Sequence, residues 1–136
     1  MLRLVPNDPL DLQALGALLS DRDELFLVWP DAKFPFDKAQ WRERLTARPG
    51  NRCYFVATEQ ETTGHAALLE TEEPGTVEMS FLFIRADRRG RGLGKALVVM
   101  LEDEARKSRG VRALRLRVRS YNRARSTSMR RQALRA

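Results

Sequence analysis

The sequence predicts an α/β domain built around a mainly antiparallel sheet. Three observations carry that reading. Apolar residues recur at near-helical spacing before residue 50. Three segments rich in β-formers follow between residues 53 and 84, separated by short turns. A glycine-rich turn then leads into a second helical pattern and one alternating strand.

Taken in order, Leu2, Leu4 and Val5 read as a short first strand closed by Pro6. Asp8-Pro9 offers a helix start, and Leu10, Leu12, Leu15, Leu18 and Leu19 mark its apolar face. A second amphipathic piece covers Glu24 to Val28, followed by a loop from Trp29 to Phe36. Asp37 can cap a helix from Lys38 to about Arg48, which Pro49-Gly50-Asn51 ends. Cys53 to Thr58 is a strand, Thr62-Thr63-Gly64 is turn-like, and His65 to Glu70 is a second strand. After Glu73-Pro74-Gly75, the nearly continuous apolar run Thr76 to Ile84 suits the middle of a sheet. Leu93, Leu97, Met100, Leu101 and Ala105 share one face of a helix that Gly110 ends. In Arg112 to Arg119, Leu114, Leu116 and Val118 alternate with Arg115, Arg117 and Arg119, as in a half-buried strand.

With 136 residues, a single domain over 1–136 is expected. Apolar residues at 43% and charged residues at 32% are ordinary for a globular chain. No apolar run approaches the ~18 residues of a membrane span, and the N-terminus lacks the pattern of a signal peptide. A cytoplasmic location without membrane association is the expectation. Cys53 is the only cysteine, which excludes an internal disulfide and a cysteine-rich zinc site, and no His/Cys/Asp cluster suggests a metal. The net charge of +7 is unevenly spread. Residues 1–84 hold 8 Lys/Arg against 14 Asp/Glu, and residues 85–136 hold 17 against 4. A basic half suits either a nucleic acid or a polyanionic cofactor, and charge alone does not separate them.

The chemistry lies in Arg88-Arg89-Gly90-Arg91-Gly92-Leu93-Gly94-Lys95. A strand, a glycine-rich turn and a helix start make an anion site, because the first helical N–H groups have no partner and the macrodipole is positive there. Hydrogen bonds to charged groups are worth ~1.5–3 kcal/mol each, so three or four offset much of the ~4–15 kcal/mol that association costs. A nucleotide-hydrolase P-loop needs a Ser/Thr after Gly-Lys, where this chain has Ala96, and a Gly where Arg89 stands. The dinucleotide fingerprint fails too: Gly90, Gly92 and Gly94 have the wrong last spacing, and no acidic residue follows at the required distance.

Arg89, Gly92 and Gly94 do meet a Gln/Arg-x-x-Gly-x-Gly/Ala pattern, and the run from Leu82 to Leu97 resembles the fourth strand, loop and third helix of the GNAT superfamily of acetyl-CoA-dependent N-acetyltransferases. The resemblance is specific over residues 76–122 and weak before them. It implies a three-layer fold with a mixed, mainly antiparallel sheet flanked by helices. It also implies acetyl-CoA as cosubstrate, with the pyrophosphate on the backbone amides of Arg89, Gly90, Arg91, Gly92, Leu93 and Gly94, and Lys95 also among the cofactor-binding residues. The pantetheine arm would lie along Leu82, Phe83 and Ile84, between splayed fourth and fifth strands, and the Leu82 N–H would face the thioester oxygen. Glu78 matches the position of the glutamate base in histone-type members, and simple alternation puts it on the face of Ser80, Leu82 and Ile84. Its bland reading is a solvated or ion-paired strand glutamate.

The end of the chain departs from the pattern. Asn122 fits a family asparagine near the cofactor, but Met129 stands where a tyrosine acid is expected, Tyr121 is out of register, and the last strands are missing. One synonymous codon choice for Ala124 to Arg135, read two bases later, gives ALNVYEAAGFA, which restores the tyrosine and Gly-Phe. Residues 123–136 thus read as a frameshift product, and the DNA sequence tests this. Without the last strands, exposed sheet edges favour a homodimer.

Trp29, Phe34, Phe36 and Trp41 read mainly as core, with an aromatic lid as the sharper option. Asp21, Asp23 and Glu24 read as solvated helix-end charges, His65 as non-catalytic and Cys53 as a small buried hydrophobe. The expected reaction is direct acetyl transfer to a primary amine in a ternary complex. Small molecules, peptide N-termini and protein lysines remain open as acceptors. Two rival readings stand beside it: a relative that only binds CoA or a partner, and a nucleic-acid module using the basic half.

Overall fold

The computed structural model describes residues 2–59, 61–89, 92–117 and 128–130. Six strands form one sheet in chain order: β1 (Arg3–Pro6), β2 (Arg52–Ala57), β3 (Thr62–Glu70), β4 (Thr76–Ile84), β5 (Ala113–Arg117) and β6 (Ser128–Arg130). All neighbours pair antiparallel except β4 and β5, which are parallel. Helices α1 (Leu12–Leu18), α2 (Arg22–Val28) and α3 (Lys38–Leu45) precede β2, and α4 (Leu93–Arg106) connects β4 to β5.

The helices divide between the two faces. On one face Leu97, Leu101 and Ala105 of α4 pack on Val56, Met79 and Leu114. On the other, Leu15, Leu25, Trp41 and Leu45 of the first three helices pack on Ala67, Leu69 and Phe83. This gives three layers, each helix burying one stripe. In β5, Leu114 and Leu116 are buried while the Arg115 side chain reaches Glu72, Glu73 and Glu78, as the alternation of the sequence requires.

Three local expectations change. Thr62, Thr63 and Gly64 are strand, not turn; Thr58 and Glu61 make the reversal instead, with the Thr58 N–H donating to the Glu61 carbonyl at 2.9 Å. Glycine is needed at 64 because a Cβ there would run into the Phe83 carbonyl of the neighbouring strand. The second change is a bulge in β4. Pairs His65↔Phe83 and Ala67↔Ser80 leave Ala66 alone opposite Phe81 and Leu82, and Phe81 has φ of 51°. The extra residue breaks the alternation. Third, β6 follows β5 where no further strand was expected; its three residues pair with the outer edge of β5.

Candidate functional site

The β4 bulge decides which side chains share a face. Val77, Met79, Leu82 and Ile84 pack with α4, whereas Phe81 and Phe83 pack with α1–α3. Glu78 and Ser80 alternate with Val77 and Met79, so they lie on the side of Phe81. The expectation that Glu78 shares a face with Leu82 and Ile84 is therefore corrected: one additional residue at Phe81 reverses the parity.

Beyond Met79 the second edge of this strand has no partner among the described residues. Pairing of β4 with β5 runs from Thr76↔Ala113 to Met79↔Leu116, and no further pair exists among the described residues, although β4 continues to Ile84. The Arg85 N–H donates to the Thr63 carbonyl at 2.7 Å and so points toward β3. Because successive peptide groups point to opposite edges, Leu82 and Ile84 direct theirs away from β3, into the gap. The Ile84 carbonyl there accepts a hydrogen bond from Arg89 Nε at 2.8 Å.

The helix mouth opens on that gap. Asp11, Asp21 and Asp37 each cap the start of α1, α2 and α3 through a side-chain oxygen. At α4 the cap is Gly92, left-handed with φ of 73°, and no side chain closes the turn. The first amide groups of α4 thus have neither a helical partner nor a capping oxygen. A Cβ at Gly92 or Gly94 would meet no atom within 4 Å, so the space above the backbone is open. A cavity of about 290 Å³ joins the two features, lined by Leu82, Phe83, Ile84, Arg89, Gly92 and Gly94 among others. Uncapped amides, positive dipole and open backbone fit a phosphate-bearing cofactor. Leu93 borders the cavity as well, while Lys95 is exposed on the first turn outside it. Phe83 sends its ring toward the core of the first three helices. Gly90, Arg91, Tyr121 and Asn122 lie outside the described residues.

Arg89 does more than the sequence suggested. Besides holding the Ile84 carbonyl, its guanidinium pairs with Glu24 of α2. Arg88 and Arg85 both pair with Glu61.

A second cavity of about 170 Å³ lies earlier along β4, lined by Trp29, Asp31, Arg44, Glu78, Ser80 and Phe81 with Val28 and Pro30. Glu78 is nearly buried; one of its oxygens accepts from Ser80 Oγ at 3.0 Å and the other from Arg115 at 3.2 Å. Trp29 and Trp41 each stand against the Phe81 ring, with centroids 5.3 and 5.0 Å away. Trp41 is fully buried, Phe36 stacks on it, and Phe34 is exposed, so three of the four aromatics pack inward.

His65 stands apart from both cavities. It is fully buried in β3, and burial pushes its pKa down to about 3. Burial raises the Cys53 thiol to about 11, which leaves it an unreactive thiol at neutral pH. Among the described residues no group of three or more His, Cys, Asp or Glu could hold a metal, and no helix is long and apolar enough to cross a membrane.

Comparison with known families agrees with this geometry. The model of the acetyltransferase (GNAT) family matches residues 16–128. The chain belongs to that family. Among solved GNAT structures, an acetyltransferase from Thermus thermophilus is 28% identical, with a TM-score of 0.65 over 85% of this chain and 75% of the other. The spermidine N-acetyltransferase from Vibrio cholerae, solved with CoA and spermine, is 18% identical, with a TM-score of 0.63 over 85% and 69% of the two chains. RimL, a ribosomal alpha-N-protein acetyltransferase in complex with coenzyme A, is 19% identical, with a TM-score of 0.66 over 90% and 73%. No curated protein sequence matches the chain at a significant level. The GNAT pattern was legible in Arg89, Gly92 and Gly94. The partners of that loop and of Glu78, namely Glu24 and Arg115, were not, since each is paired across 65 or 37 positions of sequence.

Proposed function

We propose that this chain transfers the acetyl group of acetyl-CoA to a primary amine by direct attack in a ternary complex. The observation that carries the proposal is the uncapped α4 mouth beside the part of β4 that has no second neighbour among the described residues, with Glu78 in the second cavity along the same strand. Main-chain amides of Gly92 to Gly94 would hold the pyrophosphate. The outward peptide groups of Leu82 and Ile84 would order the pantetheine arm. Acetyl-CoA would supply the thioester whose acetyl group moves, and the Leu82 N–H would stabilise negative charge on its oxygen.

An attacking amine must first lose a proton. For a lysine-like amine of pKa ~10.4, neutrality at pH 7 costs about 4.6 kcal/mol. Glu78 is the carboxylate of the second cavity nearest β4, and it would take that proton directly or through a water. Ser80 and Arg115 fix its orientation. The relatives described above act, by their names, on spermidine and on a ribosomal protein, which supports an amine acceptor of either small or peptide type here.

Calorimetry with acetyl-CoA followed by a thiol-release assay over an amine panel tests the proposal. Saturable binding with acceptor-dependent thiol release is expected. Binding without turnover of any amine would leave a CoA-binding relative, and absent binding with tight, salt-sensitive RNA affinity would favour the nucleic-acid reading.

A further inference from the structure

The second cavity carries charges of both signs. Glu78 and Asp31 stand on one hand and Arg44 on the other. Arg44 is placed by α3, and its guanidinium lies 5.5 Å from the centroid of the Phe81 ring. Among the described residues no carboxylate pairs with it; the ion pairs of the region go to other cations, Arg115 with Glu78 and Lys33 with Asp37. A guanidinium near an aromatic face without a carboxylate partner retains N–H groups that match a carboxylate in a two-point hydrogen bond. A cavity shaped for a polyamine would present carboxylates alone.

Size narrows the acceptor further. At about 170 Å³ the cavity is little larger than one that takes up a benzene molecule and well below drug-sized pockets. Trp29 and Phe81 supply its apolar wall.

We infer that the acceptor is a small aminocarboxylate, its amine directed to Glu78 and its carboxylate to Arg44. This rests on the acetyl-transfer reading and deepens it. Glu78 takes one proton from the ammonium, the neutral nitrogen attacks the thioester carbonyl, the new N–C bond replaces the C–S bond, the second nitrogen proton passes to the departing sulfur so that CoA leaves as the thiol, and Glu78 returns its proton to solvent. The product is an N-acetylated aminocarboxylate, in which the carboxylate is retained and the cationic amine becomes a neutral amide.

The test uses the full chain, acetyl-CoA and matched acceptor pairs. Each pair is an aminocarboxylate, such as glycine, 4-aminobutyrate or phenylalanine, and its own carboxamide, so that size is kept and only the charge is removed. Thiol release is measured for wild type, Arg44→Gln and Arg44→Lys, and circular dichroism confirms that each variant is folded. In wild type, kcat/KM for at least one carboxylate should exceed that of its carboxamide by about tenfold or more, the value of a charged hydrogen bond. Arg44→Gln should bring the ratio close to one by raising KM for the carboxylate, and Arg44→Lys should restore part of it. Equal use of carboxylate and carboxamide, preference for an uncharged or polycationic amine, or a ratio untouched by Arg44→Gln would overturn the inference and leave the acetyl-transfer reading standing. The inference is overturned in the same way if acetyl-CoA binds and no aminocarboxylate is turned over. Failure of acetyl-CoA to bind would instead remove the reading beneath it.

Discussion

Lowering the pH from 7 to 5 should destabilise this fold through one residue, His65. The ring is fully buried between β2 and β4, against Phe55 at 5.1 Å between centroids. Its Nε2 lies 3.1 Å from Asn7 Nδ2. The orientation of Asn7 follows from its other end, because Asn7 Oδ1 accepts the Asp11 N–H at 2.7 Å. The Asn7 amide therefore donates, Nε2 accepts, and a proton on the ring belongs on Nδ1, which has no partner among the described residues. A second proton would have to displace the Asn7 donor from Nε2 in a fully buried site, and burial accordingly pushes the pKa from 6.5 to about 3. The unfolded chain takes up that proton as pH falls through 6.5 and the folded chain does not until near pH 3. Stability from this site is thus complete above pH 6.5 and lost progressively between 6.5 and 3. From pH 7 to 5 the loss comes to about 2 kcal/mol, or about 5–10 °C in Tm for a domain of this size. Urea titrations at the two pH values, on wild type and His65→Gln, isolate the effect from carboxylate protonation. Gln can accept the Asn7 amide and does not titrate, so it should flatten the pH dependence by that amount. A pH dependence as steep in His65→Gln as in wild type would rule this account out.

The site and the sheet give further expectations. Gly92→Ala should cost ~1–2 kcal/mol through its left-handed backbone and weaken acetyl-CoA about tenfold or more by calorimetry, because the methyl group enters the space above the amides. Gly94→Ala carries no positive φ and meets no neighbour, so it should gain up to ~1 kcal/mol in thermal unfolding; the Gln/Arg-x-x-Gly-x-Gly/Ala pattern admits alanine at this position but not at Gly92, so binding should be weakened far less than by Gly92→Ala. Gly64→Ala should lose ~1–3 kcal/mol, since its Cβ strikes the backbone of β4 and cannot be relieved by a rotamer change. Glu78→Gln should lower kcat by ~10²–10⁴ at neutral pH with acetyl-CoA affinity kept. Its rate should climb as pH approaches the acceptor pKa, because a neutral amine needs no base; a flat profile would count against Glu78 as the proton acceptor.

Much of this architecture could be read from the chain itself. β4 announces itself as a long run of β-formers, and the turn after it as glycines at fixed spacing before a helical stripe. Those are local signals and they survive folding. The bulge at Phe81 is not local in that sense. Neither a glycine nor a proline marks it, and a phenylalanine takes φ of 51° only because the register between β3 and β4 demands it. Missing it reverses the inferred face of every later residue in β4, which is why Glu78 was grouped with Leu82 and Ile84. Gly64 misled for the opposite reason. Glycine commonly marks a turn, but here its absent side chain admits a neighbouring carbonyl. Arg44 carries no sequence signal at all. Its place beside Glu78 depends on how α3 crosses the sheet.

The way the four helices begin links fold to function. Aspartate capping satisfies the amides at the starts of α1, α2 and α3 within the chain, at a gain of about 1 kcal/mol each. α4 forgoes that gain and starts on a left-handed glycine. The loop leading into it still has to be held, and Arg89 does this from the side, tied to the Ile84 carbonyl and to Glu24 rather than to the helix amides. An acidic cap at position 92 would have been the easier way to secure the turn, but its charge would occupy the proposed anion site. Anchoring by a cation that grips a carbonyl and a distant carboxylate leaves the amides vacant and adds positive potential beside them. The same side chain fastens α2, which leads directly to Trp29 and the second cavity, to the edge of the first. The cavities proposed for acceptor and cofactor are therefore tied to each other by one ion pair, an arrangement that suits a direct transfer between two bound substrates.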